Sequence, residues 1–429
     1  MIRVAALQLR AHDRGDYERL RVSIVERIER AALDCDLLVL PEGTFPAYVL
    51  GDDGVDERLA VEVVESLARA AQRASCAIVA GAAVRRGEIL YNGAVVIDRD
   101  GSVAGSAEKI FLWHFDRQWF SPGDTIAPVQ TSIGQLGVLI CADGRMPVIA
   151  RTLVDRGAEL LVMPTAWVTS GRDPHHRENI QADLLGRVRA FENGVPFIAA
   201  NKCGVERGMV AYCGKSQIVD ASGDVVAIAS QENEEVVTAQ LQRTSPAPLR
   251  VRLPAPAPRD PGGDRGVRIA ICASPLPSDI ADRLRILEAD LALAPNGDDD
   301  FATLDAAVAS VRLDAPDAFD PALLVTYRLD GYRVAVLDAA TSHPWLERVA
   351  RARAAELRMY VIVFDRGAQR AFAVDPDGVV IAGTFDDFRI ASFPLDPRRT
   401  EATLVAPNTD VAEGLVFVQS LAHRGAGVS

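Results

Sequence analysis

The chain alternates short apolar runs with longer segments in which apolar residues recur every three to four positions. Short runs of this kind indicate buried strands, and the longer periodic segments indicate amphipathic helices. The elements expected in the first quarter are strands at Ile2–Leu9, Asp36–Leu40 and Ala77–Gly81, helices at Tyr17–Leu33 and 57–75, and a hairpin at Tyr91–Asp98 and Val103–Glu108. Strands that alternate with helices are typical of an α/β fold.

Residues 137–167 predict a strand, a helix and a second strand around a cysteine. Val138–Ile140 forms the first strand and ends directly on Cys141. Pro147 suits the first turn of the helix, and Glu159–Met163 forms the returning strand. Open α/β sheets usually bind ligands at this edge, so Cys141 is expected to face a crevice.

Cys141 has two interpretations at this point. Backbone N–H groups of the turn and a helix N-terminus would stabilise a thiolate and a developing oxyanion, which would make Cys141 a nucleophile. Asp143 is a candidate N-cap for the helix. Free cysteine is also among the most buried residue types, so this segment alone is equally consistent with a core position.

A carboxylate and an ammonium group follow two other predicted strands. Glu42 comes directly after Asp36–Leu40, at the same sheet edge as Cys141, although an ordinary loop glutamate is the simpler reading of a lone residue. Lys109 follows the hairpin and precedes the apolar, aromatic run 110–115. Such a lysine either extends to solvent or lies in a pocket opposite a carboxylate or an oxyanion.

Composition excludes several classes of protein. With 429 residues the chain is expected to form two domains. A net charge of −13 without a basic block argues against nucleic-acid binding. No apolar run approaches the ~20 residues that span a bilayer and the N-terminus does not resemble a secretion signal, so a cytoplasmic location is expected. The six cysteines lack zinc-ligand spacing, and His175-His176 is expected to be a solvated surface pair.

Residues 246–266 are rich in proline and glycine and interrupt the periodic pattern. We therefore predict a first domain at 1–245, a linker at 246–266 and a second domain at 267–429.

Three motifs of the first domain occur in a characteristic order: Leu38–Glu42, Glu108–Ile110 and Ile140–Pro147. They resemble the signature motifs of the nitrilase (carbon-nitrogen hydrolase) superfamily. Further matches extend the resemblance over roughly residues 2–243: Pro164–Trp167, Arg189–Asn193, Ala200–Lys202 and Ser216–Asp220.

The resemblance implies a four-layer αββα sandwich and a Glu-Lys-Cys triad. Cys141 would attack the substrate to form a thioester intermediate, with Glu42 as the base, and Lys109 and the Ala142 N–H would stabilise the oxyanion. Amide hydrolysis independently requires a nucleophile, a proton-transfer group and a positive group over the oxyanion. No metal or organic cofactor is implied.

Two positions depart from the family pattern. Where members usually carry a second glutamate before the cysteine strand, this chain has Asp116. Asp116 is expected to orient Lys109 or the substrate amide, and an altered site is the alternative. Val148 replaces a glutamate that often follows the Met/Phe-Pro pair, which removes a supporting contact.

Four aromatic residues are candidates for the pocket of the acyl group: Tyr48, Trp113, Phe115 and Trp167. Core packing is the alternative role for each of them. Residues 175–193 predict a long helix, which in the family lies near the subunit interface. Arg189 and Glu192 could pair on one face of it, and a solvated ion pair of little energetic value is the alternative.

The second half repeats short patterns of the first: Arg268–Ile271 matches Arg3–Ala6, Ala289–Gly297 matches Cys35–Gly43, Tyr360–Val363 matches Pro196–Ala199, and Val374–Val380 matches Val219–Val225. The second pattern places Asn296 where Glu42 stands. Residues 267–410 contain no lysine and no cysteine after Cys272. We hypothesise two tandem copies, the second a shortened, degenerate nitrilase-like domain without the triad. An unrelated α/β domain is the alternative.

The sequence thus predicts an amidase-like hydrolase that acts on a small linear amide or N-carbamoyl compound and releases ammonia or an amine. Alternatives are a nitrilase that acts on a small nitrile, a hydrolase in which His114 or His175 activates Cys141, and a non-catalytic binding protein. The partner is a small molecule, with neither nucleic acid nor membrane expected. The chain could form a homo-oligomer, or an internal pseudo-dimer through its second domain.

Overall fold

The computed structural model describes residues 1–51, 55, 57–169, 175–244, 258–260, 265–295, 300–385 and 388–424. They form two compact units. The first comprises residues 1–248 with 407–409 and 417–429, and the second comprises 249–406 with 410–416. The C-terminal segments 407–409 and 417–429 therefore group with the first unit, whereas the sequence assigns them to the second domain. One contact that explains this grouping is the hydrogen bond from the Arg156 guanidinium to the Ala422 carbonyl.

The first unit is built from fifteen strands and four helices among its described residues before 245. The strands are β1 (Ile2–Arg10), β2 (Leu37–Val39), β3 (Ala77–Arg86), β4 (Ile89–Ile97), β5 (Val103–Glu108), β6 (Val129–Thr131), β7 (Gly134–Val138), β8 (Leu160–Pro164), β9 (Phe197–Ala200), β10 (Lys202–Cys203), β11 (Val205–Glu206), β12 (Val210–Ala211), β13 (Gln217–Val219), β14 (Val225–Ile228) and β15 (Glu235–Leu241). The helices are α1 (Tyr17–Ala32), α2 (Glu57–Ala74), α3 (Pro147–Asp155) and α4 (Gly186–Asn193).

Two sheets lie face to face in this unit, with helices on both outer faces. The first sheet has the order β10-β1-β2-β3-β4-β5, with β15 also paired to β1, and the second has the order β14-β13-β9-β8-β7-β6. Helices α1 and α2 cover the first sheet because apolar residues at helical spacing, such as Ile24 and Ile28, pack on its strands. Helices α3 and α4 pack on the second sheet. The αββα sandwich expected for the first half is confirmed.

The elements of the second unit follow the same alternation of strands and helices. They are β16 (Val267–Cys272), α5 (Ile280–Ile286), β17 (Leu291–Leu293), α6 (Phe301–Ala307), β18 (Ser310–Asp314), α7 (Pro321–Leu329), β19 (Val334–Ala339), α8 (Leu346–Leu357), β20 (Tyr360–Asp365), β21 (Arg370–Val374), β22 (Val380–Gly383), β23 (Ile390–Leu395), α9 (Arg398–Glu401), β24 (Leu404–Ala406), β25 (Thr409–Asp410) and α10 (Val411–Arg424), the last two of which extend across the unit boundary.

The main sheets of the second unit have the strand orders β23-β16-β17 and β18-β19-β20-β21-β22. Order and direction match β15-β1-β2 and β7-β8-β9-β13-β14 of the first unit. A register shift at Ala373/Val374 corresponds to one at Ile218/Val219. Between β17 and β18 the described residues form α6, with no counterpart of β3, β4 and β5. Asn296 lies outside the described residues.

Candidate active site

Glu42 lies in the loop that follows β2. Its backbone N–H donates to the Thr165 carbonyl at 3.2 Å, which ties this loop to the end of β8 in the facing sheet. Gly81 of β3 approaches so closely that a Cβ atom there would lie 2.5 Å from the Glu42 Cα atom. The loop is therefore held on both sides, and the Glu42 side chain is completely buried.

Lys109 follows β5 and connects two carboxylates. Its Nζ atom lies 2.7 Å from Glu42 Oε1 and 2.6 Å from Asp116 Oδ2, and all three side chains have no exposed surface. Burial by itself disfavours the ammonium and lowers the pKa of Lys109. The charges of Asp116 and Glu42 outweigh this effect and raise the pKa well above its usual value. Lys109 is therefore an ammonium group at neutral pH.

Asp116 occupies the position at which the family usually has glutamate. A short 3-10 turn, His114–Gln118, brings its carboxylate to Lys109, and Asp116 Oδ2 also accepts the backbone N–H of Trp113 at 2.9 Å. Asp116 Oδ1 is buried without a partner among the described residues. The carboxylate thus orients Lys109 and leaves one oxygen for another ligand.

The two carboxylate oxygens of Glu42 have different surroundings. Oε1 accepts hydrogen bonds from Lys109 Nζ and from Asn92 Nδ2, each at 2.7 Å. Oε2 is buried and has no partner within the described part of the chain. Oε2 is therefore the oxygen that is available to exchange a proton. Asn92 was missed by the sequence reasoning, because a strand asparagine carries no signal until the fold places it beside Glu42.

Cys141 begins a one-turn 3-10 helix, Cys141–Arg145, that follows β7 and two further residues. Its backbone has a φ of +47°, which for a residue with a side chain costs about 1–2 kcal/mol. Such strain is often found at functional positions.

The Cys141 thiol is buried, and its pKa is raised to about 12. Burial is the main cause and the Glu42 carboxylate adds to it, whereas Lys109, the Thr165 hydroxyl and the Ala166 N–H lower the pKa. Burial therefore outweighs the groups that favour a thiolate, and the thiol is protonated at neutral pH. A neutral thiol needs a base before it can act as a nucleophile, and Glu42 is the carboxylate that acts most strongly on this thiol.

The two histidines considered as alternative bases have different surroundings. His175 is exposed and His114 is half-buried, with its ring against Phe115. The charged groups that act most strongly on the thiol are Glu42 and Lys109.

A family model for carbon-nitrogen hydrolases matches residues 3–250, which is more than half of the chain. The chain belongs to the carbon-nitrogen hydrolase family. The expected superfamily membership is thereby confirmed. None of the helices in the described ranges is both long and apolar enough to cross a bilayer.

Curated relatives and solved structures of this family resemble the first unit. A probable nitrilase of Schizosaccharomyces pombe is 32% identical over 166 residues, which cover 39% of this chain and 58% of that protein. An (R)-stereoselective amidase of a Pseudomonas species is 32% identical over 232 residues, across 52% of this chain and 80% of that protein. A glutamate-to-glutamine mutant of the amidase from Nesterenkonia sp. AN1, with acrylamide added to its active-site cysteine, is 25% identical with a TM-score of 0.50, across 56% of this chain and 94% of that chain.

The four aromatic candidates for the acyl pocket differ in burial: Tyr48 and Trp167 are buried, whereas Trp113 and Phe115 are half-buried. Tyr48 is buried with its ring centroid 5.7 Å from Lys109 Nζ, and Phe115 packs on Tyr48. Trp167 is also buried, and its Nε1 atom has no partner among the described residues. The Cζ atom of Arg145 lies 4.8 Å from the ring centroid of Trp113. Because Arg145 ends the 3-10 turn that begins at Cys141, Trp113 packs against this turn.

Arg189 supports the cysteine turn from α4. Its Nε atom donates to the Gly144 carbonyl at 3.0 Å, and the guanidinium pairs with Glu192, with both side chains fully buried. The expected pairing of Arg189 with Glu192 is present, and the solvated alternative is wrong, because α4 packs its Arg189 face inward against the turn. The regular helix also begins later than expected, with a π-helical turn at Gln181–Leu185 before α4.

A second buried lysine-glutamate pair lies beside Tyr48. Glu206 Oε2 accepts Lys202 Nζ at 3.1 Å and the Tyr212 hydroxyl at 2.7 Å, and Glu206 Oε1 accepts the backbone N–H of Val49 at 2.7 Å. Lys202 Nζ lies 5.8 Å from the Tyr48 ring centroid. The sequence reasoning used Lys202 only as a family match and missed Glu206 and Tyr212, since their meeting depends on tertiary contacts.

Proposed function

We propose that this protein hydrolyses a small linear amide or N-carbamoyl compound through a thioester on Cys141 and releases ammonia or an amine. The observation that carries the proposal is the Lys109 ammonium held between Glu42 and Asp116, beside a buried thiol and with Glu42 Oε2 unpartnered in the described structure. An acid-base group, a nucleophile and a positive group are the set that acyl transfer requires. The amidases among the relatives support this substrate class.

In the first step, Glu42 Oε2 accepts the thiol proton while Cys141 Sγ attacks the carbonyl carbon. The π electrons of the carbonyl move to its oxygen, and Lys109 and the Ala142 N–H stabilise this oxyanion. Because the thiol has a high pKa, proton removal must accompany attack instead of preceding it.

In the second step, the oxyanion reforms the carbonyl as the C–N bond breaks. The leaving nitrogen takes the proton held by Glu42 and departs as ammonia or an amine, which leaves the thioester. Glu42 then removes a proton from water as the water oxygen attacks the thioester carbon. Breakage of the C–S bond releases the acid, or the carbamic acid from a carbamoyl substrate, and returns a proton to Cys141.

The test is the intact mass of the protein after incubation with short primary amides and N-carbamoyl compounds, combined with an ammonia assay. We expect turnover in the wild type, an acyl adduct on Cys141 in rapidly quenched samples, and neither in Cys141→Ala. Cys272→Ala, which removes a buried cysteine of the second unit, is the matched control and should keep full activity. A wild type that releases no ammonia and forms no adduct with any of these compounds would overturn the proposal.

A nitrilase activity is the second candidate, because one relative is named a probable nitrilase. A nitrile would be attacked by the same sulfur but would give a thioimidate instead of a tetrahedral oxyanion. Ammonia release from a nitrile, with the corresponding amide left unreacted, would favour this alternative. An absence of reaction with every class would favour a non-catalytic binding protein.

We also propose that the second unit is a shortened, degenerate copy of the first. In support, α8 carries a buried Arg353–Glu356 pair, and Arg353 Nε donates to the Ala318 carbonyl at 3.1 Å. This repeats the contact of Arg189 with Gly144, and counting three residues back from each accepting carbonyl pairs Ala315 with Cys141. An experimental structure in which the strands of the two units do not superpose residue by residue would contradict the proposal.

A further inference from the structure

Asp143 lies two residues after the nucleophile and is not part of the proposed triad. Its side chain does not cap α3, the role that the sequence indicates, since the N-cap of that helix is Met146 and makes no side-chain capping bond. Asp143 is instead buried, with only 1% of its surface exposed.

The Asp143 carboxylate accepts three backbone hydrogen bonds from two separate segments. Oδ1 accepts the N–H groups of Ile110 at 3.0 Å and Phe111 at 2.8 Å, and Oδ2 accepts the N–H of Ile140 at 3.0 Å. Ile110 directly follows Lys109, and Ile140 directly precedes Cys141. One carboxylate therefore joins the segment that carries the ammonium to the segment that carries the sulfur.

We propose that Asp143 is a positioning residue that fixes Lys109 relative to Cys141 through these three hydrogen bonds. The inference rests on the proposed function of the same site. Because Lys109 must lie over an oxyanion that exists only during reaction, an error of about 1 Å in its position can reduce the rate by about 100-fold. The expected signature is a loss of kcat with little change in KM.

These three hydrogen bonds, which we call the Asp143 clamp, require an ionised carboxylate. A carboxylate offers about four lone-pair sites, whereas an asparagine in the same place offers one acceptor oxygen and an NH2 group that must face at least one of the three N–H donors. Protonation has a similar effect, because it turns one acceptor oxygen into a donor.

The neighbouring groups determine how readily Asp143 ionises. Burial raises its pKa to about 7, while the three N–H groups and the Lys109 charge favour the ionised form. A cavity of about 50 Å³ beside Asp143 is lined by the ion-paired Arg86 and Glu108 from β3 and β5, and by apolar residues of α3. The clamp should therefore weaken as the pH falls below about 7.

The experiment compares Asp143→Asn with the wild type in the full-length chain. Asp220→Asn is the control, because Asp220 also accepts backbone N–H groups, from Ser222 and Asp224, but lies in a turn away from the site. Four quantities are measured: kcat and KM with an amide that the wild type hydrolyses, the rate of Cys141 alkylation by iodoacetamide from pH 5 to pH 9, and the thermal unfolding midpoint.

For Asp143→Asn we expect a folded protein whose kcat falls by about 10- to 100-fold while KM stays within about threefold. The alkylation profile of the wild type should show an inflection near pH 7 that Asp143→Asn lacks and Asp220→Asn keeps. A folded Asp143→Asn with wild-type kcat and an unchanged alkylation profile overturns the proposal.

Three further outcomes are distinguishable. If the wild type hydrolyses no amide, carbamoyl compound or nitrile, the proposed function fails, and the alkylation profiles still test the role of Asp143. If Asp143→Asn does not fold, Asp143→Ser, which keeps a smaller acceptor, replaces it. If neither variant folds, a wild-type alkylation profile without an inflection near pH 7 contradicts the inference.

Discussion

Asp116 shows how one residue can replace a longer one when the backbone compensates. Aspartate is one methylene shorter than the glutamate that the family usually has here, yet its Oδ2 atom lies 2.6 Å from Lys109 Nζ. The short turn His114–Gln118 brings the carboxylate close enough. The sequence identified Asp116 as a candidate, whereas only the loop geometry shows that its carboxylate reaches Lys109.

Asp116→Asn should reduce kcat by about 100-fold, because Lys109 would keep one carboxylate partner and lose part of its orientation. KM should change little, since the ammonium acts mainly on the oxyanion. Steady-state kinetics provide the measurement. Asp183→Asn is the matched control, because Asp183 pairs with Lys215 at 2.7 Å outside the site, and its activity should equal that of the wild type.

Glu42→Gln should lower the pKa of Cys141. The Glu42 carboxylate contributes to the raised value of about 12, so removal of its negative charge stabilises the thiolate beside Lys109. The pH dependence of iodoacetamide alkylation measures this change, and the curve should shift to lower pH even though turnover is lost. A shift to higher pH, or no shift, would show that Glu42 is not a main electrostatic neighbour of the sulfur.

At the scale of elements, β10 to β12 hold the loop that carries Glu42 and Tyr48. Glu206, at the end of β11, binds Lys202, Tyr212 and the backbone of Val49 at once. Because Lys202 is buried, the Lys202–Glu206 pair stabilises the fold only while both partners are present. Loss of either partner leaves an uncompensated charge in the interior.

Glu206→Gln should therefore lower the free energy of unfolding of the first unit by about 3–5 kcal/mol. Tyr212→Phe removes only one hydrogen bond to a charged group and should cost about 1.5–3 kcal/mol. Urea denaturation of both variants checks the order. Equal effects of the two substitutions would mean that Lys202 does not depend on Glu206 for its charge compensation.

At the scale of the whole molecule, one chain contains two units, and the main sheets of the second repeat part of the strand order of the first. Only the first unit has the proposed reactive residues. The second unit lacks counterparts of β3, β4 and β5 in its described residues, and β5 is the strand that leads to Lys109 in the first unit. Restoring a sulfur to the second unit should therefore not restore a site.

Ala315→Cys tests this expectation in the full-length chain. Ala315 is buried, and the proposed repeat pairs it with Cys141, because each lies three residues before the carbonyl that accepts the buried arginine. We expect the quenched protein to carry a single acyl group on Cys141, and Cys141→Ala/Ala315→Cys to carry none, because a thiol without a base and an ammonium is a weak nucleophile. Intact mass measures the number of acyl groups. A second adduct would contradict the degenerate-copy hypothesis.

Much of the first unit could be predicted, because its strands, helices and motifs are each specified by residues that are close together in the sequence. The strands around Cys141, the amphipathic helices and the motif residues Glu42 and Lys109 are visible as periodicity and short patterns along the chain. The partners Asn92 and Glu206 could not be predicted, since each acts on a residue many positions away and carries no pattern of its own.

The sequence alone determined the fold class of the first half, the family and the chemical types at the proposed site, because periodicity and motif order survive without coordinates. Only the tertiary structure decided the electrostatic state of that site. The Cys141 thiol is neutral at rest and Arg189 is buried, since a pKa and a desolvated ion pair depend on which atoms surround a group, and those atoms come from distant strands. Asp143 was expected to cap a helix, but its tertiary contacts with Ile110 and Ile140 make it the link between the segments that carry Lys109 and Cys141.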